Sequence, residues 1–141
     1  LRIVLDTNVL VSGLLSPFGP PGEIVRLVSS GSIVLCLDAR ILSEYEAVLL
    51  RPKFGFQPGE VAAFIDYIDF RGETVAARPL ATRLPDPADE PFLEVAVACA
   101  AECLVTGNVK HFPHKEYGGV PILSPAEFIE RYRASAREEN A

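Results

Sequence analysis

Residues 2–5 (RIVL) and 33–37 (IVLCL) are almost continuously apolar, without the in–out alternation of a strand that has one wet face. Such runs need cover on both faces, and parallel sheets wrapped by helices supply it. Between the runs the pattern changes to helical spacing. A short helix leaves the first strand over 8–15, and EIVRLVSSG (23–31) follows, with Gly31 at its C-cap. Asp38 opens a helix to Leu50, and EVAAFIDYIDF (60–70) makes another. FLEVAVACAAE (92–102) precedes the strand CLVT (103–106), and PIL (121–123) precedes the closing helix SPAEFIERYR (124–133). TVAA (74–77) reads as a weak strand, and SPFGPPG and RPKFGFQPG read as loops. The expected fold is therefore α/β, with a central parallel sheet between helical layers. One domain over 1–133 is expected, followed by a polar tail over 134–141 that frays. Ser124, Pro125 and Glu127 form a capping box ahead of the last helix.

In such a sheet the functional crevice lies beyond the C-terminal ends of the strands. Four positions fall at that edge. Asp6 ends the first strand, Glu44 lies in the helix after the second, Asp89 enters the helix before the fourth, and Asn108 follows Thr106 and Gly107. Each also has an ordinary structural explanation. Asp6 could cap the next helix, but Asn8 could do so equally well, so a functional carboxylate is expected at Asp6. Asp38 is expected to be a cap. Asp89 lies at a helix N-terminus whether that helix starts at Asp86 or near Glu90, and the helix dipole there favours its ionised form. Ile41, Leu42, Tyr45, Val48 and Leu49 form a buried stripe bordered almost symmetrically by Glu44 and Glu46, and the pattern does not choose between them.

VLDTNVLVSG, ILSEYEAVLLRPKF, DPADEPFLEVAVACAAECLVTGN and PILSPAEF together resemble the PIN-domain family in order and spacing, over nearly the whole chain. The likeness is greatest to the PIN-type toxin components of bacterial toxin–antitoxin modules. It implies a three-layer α/β/α sandwich and hydrolysis of RNA by an acidic cluster holding Mg²⁺ or Mn²⁺. Asp6, Glu44 and Asp89 match three of the family's acids, which selects Glu44 over Glu46. Asn108 stands where a fourth acid is usual. Its carbonyl oxygen can still ligate but brings no charge, so a second ion is expected to bind weakly. Thr7, Asn8 and Thr106 are expected to support the acids. The resemblance also implies a cognate antitoxin and a homodimer.

Two other functions can be weighed against this one. Haloacid dehalogenase-like phosphatases also begin with a strand ending in Asp, but they use Asp-x-Asp, and Asn8 fills the second place here. A non-catalytic PIN-like domain binding RNA or protein would explain Asn108 but not the retention of three acids. The net charge of −6 argues against a surface that grips nucleic acid broadly, though not against one that meets a phosphodiester through cations. His111 and His114 read as members of a loop, NVKHFPHKEYGG, rather than of a ligand cluster, and that loop with Lys110 and Lys115 is expected to be solvated.

Cys36, Cys99 and Cys103 fit no disulfide or zinc spacing. Cys99 and Cys103, four apart in an alanine-rich helical stretch, read as core thiols, from which a cytoplasmic location is expected. No apolar run reaches the roughly 18–20 residues needed to span a bilayer, and no signal peptide is expected. The absence of methionine leads us to expect that the natural start lies upstream.

Overall fold

A computed structural model describes residues 1–139. Six strands, β1 (Arg2–Leu5), β2 (Val34–Leu37), β3 (Glu73–Thr74), β4 (Cys103–Val105), β5 (Glu116–Tyr117) and β6 (Val120–Leu123), form one sheet in the order β3-β2-β1-β4-β6-β5. All pairings are parallel except the edge pair β5–β6. Ile3, Val4 and Leu5 are each fully buried. Successive residues of a strand face opposite sides of a sheet, so β1 is covered on both faces, as its unbroken apolar run requires.

The helices are α1 (Thr7–Leu15), α2 (Pro20–Ser29), α3 (Ala39–Leu49), α4 (Pro58–Arg71), α5 (Glu90–Cys99) and α6 (Pro125–Glu139). Helix α2 packs on both α1 and α6, α3 packs on α4, and α5 lies along β1, β2 and β4. The expected α/β sandwich is the one observed. The chain moves outward from β1 through β2 to β3, then returns to the other side of β1 as β4. That reversal opens a crevice between the C-terminal ends of β1 and β4.

Several boundaries differ from expectation. Helix α1 begins at Thr7, which leaves Asn8 inside it rather than capping it. Helix α2 takes in Pro20 and Pro21, because a first-turn proline lacks only an N–H that the helix would leave unpaired. Helix α5 stops at Cys99, where Ala100 turns left-handed (φ 52°), three residues short of the expected Glu102. The weak third strand reduces to two residues, and β5 is an antiparallel edge strand that no pattern announced. Instead of fraying at 134, helix α6 continues to Glu139, since Ala134, Ala136 and Arg137 favour helix and the capping box anchors its start. In that box Glu127 N–H donates to Ser124 Oγ at 3.1 Å, and Ser124 N–H donates to Glu127 Oε1 at 3.0 Å. The last two residues of the expected tail, 140–141, lie outside the described residues.

The cysteines also depart from expectation. Cys36 of β2 and Cys99 of α5, 63 residues apart in sequence, form a disulfide. Spacing could not announce it, because the parallel crossover alone brings β2 beside α5. Cys103 is not helical but opens β4, and burial pushes its thiol up to about 12. No helix among the described residues is long and apolar enough to cross a membrane.

Helices α1 and α2 meet at Gly13, where a Cβ would overlap the carbonyl oxygen of Pro21 and the side chain of Val25. Alanine is the better helix former by about 1 kcal/mol, so the sign of a substitution depends on this contact. Gly13→Ala is expected to destabilise the protein by about 1–3 kcal/mol in urea denaturation, as overpacking does. A gain in stability would mean that α2 can move away freely.

Candidate active site

Asp6 follows β1 directly, and its N–H donates to the Val105 carbonyl at 2.9 Å, carrying the β1–β4 ladder one residue past the strands. It occupies the N-cap position of α1, yet its carboxylate makes no capping hydrogen bond. Oδ2 instead accepts from Thr106 Oγ1 at 2.7 Å, and Thr106 is fully buried. The Thr106 hydroxyl oxygen in turn accepts from Asn108 N–H at 3.0 Å. This relay aligns two dipoles, the Asn108 N–H and the Thr106 O–H, on one oxygen of Asp6. Asp38, by contrast, is the cap its position suggested, accepting from Ile41 N–H at 3.1 Å.

Tyr45 determines which glutamate faces the crevice. Its side chain is fully buried, and its hydroxyl donates to the carbonyl of Leu5, the last residue of β1. With Tyr45 pinned inward, the preceding residue Glu44 turns toward α1, where Thr7 Oγ1 donates to its Oε2. Glu46 is exposed.

Asp89 realises both helix starts considered for it. A 3₁₀ turn, Pro87–Asp89, is capped by Asp86, whose Oδ1 accepts from Ala88 N–H at 2.9 Å. Helix α5 then begins at Glu90, with Asp89 as an N-cap whose carboxylate caps nothing. Asp89 is only 9% exposed, and its buried Oδ2 accepts no hydrogen bond. Glu90, the next residue, and Glu94, one turn further on, turn away from the crevice. They hold the segment before α5 by accepting from Leu84 N–H at 2.9 Å and Leu80 N–H at 3.2 Å.

Asp6, Thr7, Asn8, Glu44 and Asp89 thus line one cleft of about 460 Å³, together with Arg51 and the apolar side chains of Leu15 and Phe54. Asn108 is exposed and does not line it, and its hydrogen bond to the site comes from the main chain. Asn8 Oδ1 accepts from Gly107 N–H at 3.4 Å, joining α1 to the end of β4. His111, expected to sit in a solvated loop, ends a 3₁₀ turn after Asn108 and brings Nδ1 to 3.5 Å from Asp89 Oδ2. Nothing local in the sequence could reveal this, because the approach depends on where β4 ends.

The acids repel one another. Burial raises the Asp6 carboxyl above its usual range and the charge of Glu44 adds to this, while hydrogen bonds from Thr106 and Thr7 partly offset it. Burial, then the charges of Asp6 and Asp86, push Asp89 up to about 6, against a smaller lowering by His111. Burial, then the charges of Asp6 and Glu44, hold the Tyr45 phenol well above 10, so it stays a donor. Crowded carboxylate oxygens, one of them buried without a donor, suit a hard divalent cation, which supplies the missing charge.

A profile of the PIN domain family matches residues 2–110. The chain belongs to that family. It is 27% identical to an uncharacterized protein of Methanocaldococcus jannaschii, over 94% of this chain and 92% of that one. Its fold is shared with a chain of VapBC2 from Rickettsia felis, solved bound to a DNA fragment from their promoter. The TM-score is 0.54 at 14% identity, covering 88% of this chain and 98% of that chain. PIN domains are typically nucleases, so the family points to a hydrolase and agrees with the acidic cleft.

The folded protein keeps the proton of Asp89 up to about pH 6, where the unfolded chain has lost it. This group's stabilising contribution is therefore full below about pH 4 and lost as pH rises through about 6. In EDTA, Asp89→Asn is expected to gain about 1–2 kcal/mol on wild type between pH 4 and pH 8, after allowance for solvent screening. Urea midpoints at the two pH values measure it. A constant difference would mean that Asp89 carries no such penalty.

Proposed function

We propose that this PIN domain is a divalent-metal-dependent endoribonuclease and acts as the toxin of a toxin–antitoxin pair. The observation that carries the reading is the meeting of Asp6, Glu44 and Asp89, from three distant segments, in one cleft at the C-terminal edge of the sheet. The toxin assignment rests on the motif likeness to PIN-type toxins, and the fold shared with the VapBC2 chain is consistent with it. A cognate antitoxin and a homodimer belong to the same proposal, as does a cytoplasmic location, which now rests on the toxin likeness alone because two of the cysteines form a disulfide.

Asp6, Glu44 and Asp89 would hold Mg²⁺ or Mn²⁺, which when bound lowers the pKa of a water and offsets charge developing on the phosphate. Thr106 keeps one Asp6 oxygen in place, and Thr7 does the same for Glu44. Both hydroxyls therefore orient ligands that would otherwise rotate to escape each other's charge. Arg51 is the cation lining the cleft, suited to a flanking phosphate, and Phe54 offers an aromatic face to a base. No histidine is required as general base in this scheme. Asn108 contributes a neutral carbonyl at most.

Structured and single-stranded RNAs incubated with purified protein in Mg²⁺, Mn²⁺ or EDTA test the reading. Cleavage is expected in Mn²⁺ or Mg²⁺ alone. Asp6→Asn and Glu44→Gln should lower the rate on the order of a hundredfold or more. Glu46→Gln should leave it within about twofold, as exposed side chains away from chemistry do. Cleavage that survives Asp6→Asn undiminished would refute the assignment.

A further inference from the structure

We propose that Asp86, Asp89 and His111 form a second metal-binding site that takes Zn²⁺ or Mn²⁺ in preference to Mg²⁺. It rests on the nuclease reading only in sharing Asp89 with the acids of Asp6 and Glu44. One donor atom from each of the three residues lies within 4.8 Å of the other two. They come from two separate 3₁₀ turns, one before α5 and one after β4, so the fold and not local sequence assembles them.

Two features mark this cluster as more than adjacent acids. The first is Asp89 Oδ2, a buried carboxylate oxygen with no hydrogen bond in a residue only 9% exposed. Buried carboxylate oxygens nearly always accept one. The second is the 3.5 Å between that oxygen and His111 Nδ1. It is too long for a sound hydrogen bond. Two donors sharing one ion, with bonds of about 2.1 Å and a tetrahedral angle, stand roughly 3.4 Å apart. The orphaned oxygen and the imidazole nitrogen are thus spaced as ligands of a common cation.

Asp86 completes the set. Ala88 N–H occupies Oδ1, which steadies the carboxylate and leaves Oδ2 for an ion. The His111 side chain is about half exposed, so an ion has a path in and keeps open positions for water or a phosphate oxygen. An imidazole ligand favours Zn²⁺ or Mn²⁺ over Mg²⁺, which prefers oxygen and holds its waters.

The chain has two histidines, so His114 serves as an internal control. Zn²⁺ added to metal-free ¹⁵N-labelled protein at pH 7.5 should shift the His111 ring nitrogen resonances and leave those of His114 unchanged. Mg²⁺ at the same concentration should shift neither. In calorimetric titration, His111→Gln and Asp86→Asn should each weaken one site about tenfold or more and spare the other. Asp6→Asn should do the reverse. Equal response of the two histidines, or unchanged affinity and stoichiometry in His111→Gln, would overturn the site. Metal binding lost only in Asp6→Asn would overturn it too, while leaving the nuclease reading intact. A histidine-dependent site in a protein that cleaves no RNA would sink the nuclease and keep the site.

Discussion

Strands β1 and β4 lie side by side and end level with each other, and one backbone hydrogen bond past their last residues joins Asp6 to Val105. The cleft depends on that pairing. It brings the Thr106 hydroxyl against the Asp6 carboxylate and starts α1 and the 107–111 turn from one point. Tyr45 then ties α3 to the same strand end through the Leu5 carbonyl. Helices α1 and α3 and the 107–111 turn are thereby referenced to one peptide plane. Rigid strands hold such geometry better than loops do.

The arrangement costs stability. Carboxylates brought out of water and close together resist ionising, and Asp6 and Asp89 both show it. Hydrogen bonds from Thr106 and the Thr7 main chain offset part of the cost at Asp6, whereas Asp89 Oδ2 accepts none and has only His111 Nδ1 near it, at 3.5 Å. A fold that tolerates this at the edge of its sheet has a use for the charge, which is how binding sites commonly differ from cores. The rest of the protein compensates with the buried inner strands of the sheet and a covalent tie between β2 and α5. The acids around α5 divide by direction alone. Asp89 lines the cleft with Asp86 and His111 beside it, whereas Glu90 and Glu94 clasp the segment that leads into the helix.

Much of this was legible in the residues. Unbroken apolar runs alternating with amphipathic stretches forced a covered parallel sheet, and a carboxylate at the end of the first run pointed to the strand edge. Asp38 announced itself as a cap and is one. Other features were hidden by their geometry. Glu44 and Glu46 border the buried stripe of α3 alike, and only the inward anchoring of Tyr45 separates them. The two-residue strands β3 and β5 are too short to carry periodicity. Asn8 looked like a cap and instead braces Gly107.

The sequence by itself determined the layer architecture and the acids at the sheet edge, because strand burial and helix periodicity are local patterns that solvent enforces residue by residue. Only the tertiary structure decided which of those groups meet. The pairing of Cys36 with Cys99 and the approach of His111 to Asp89 both join segments that the chain order keeps apart. Such contacts follow from the crossover that returns β4 beside β1, and sequence spacing carries no record of that distance.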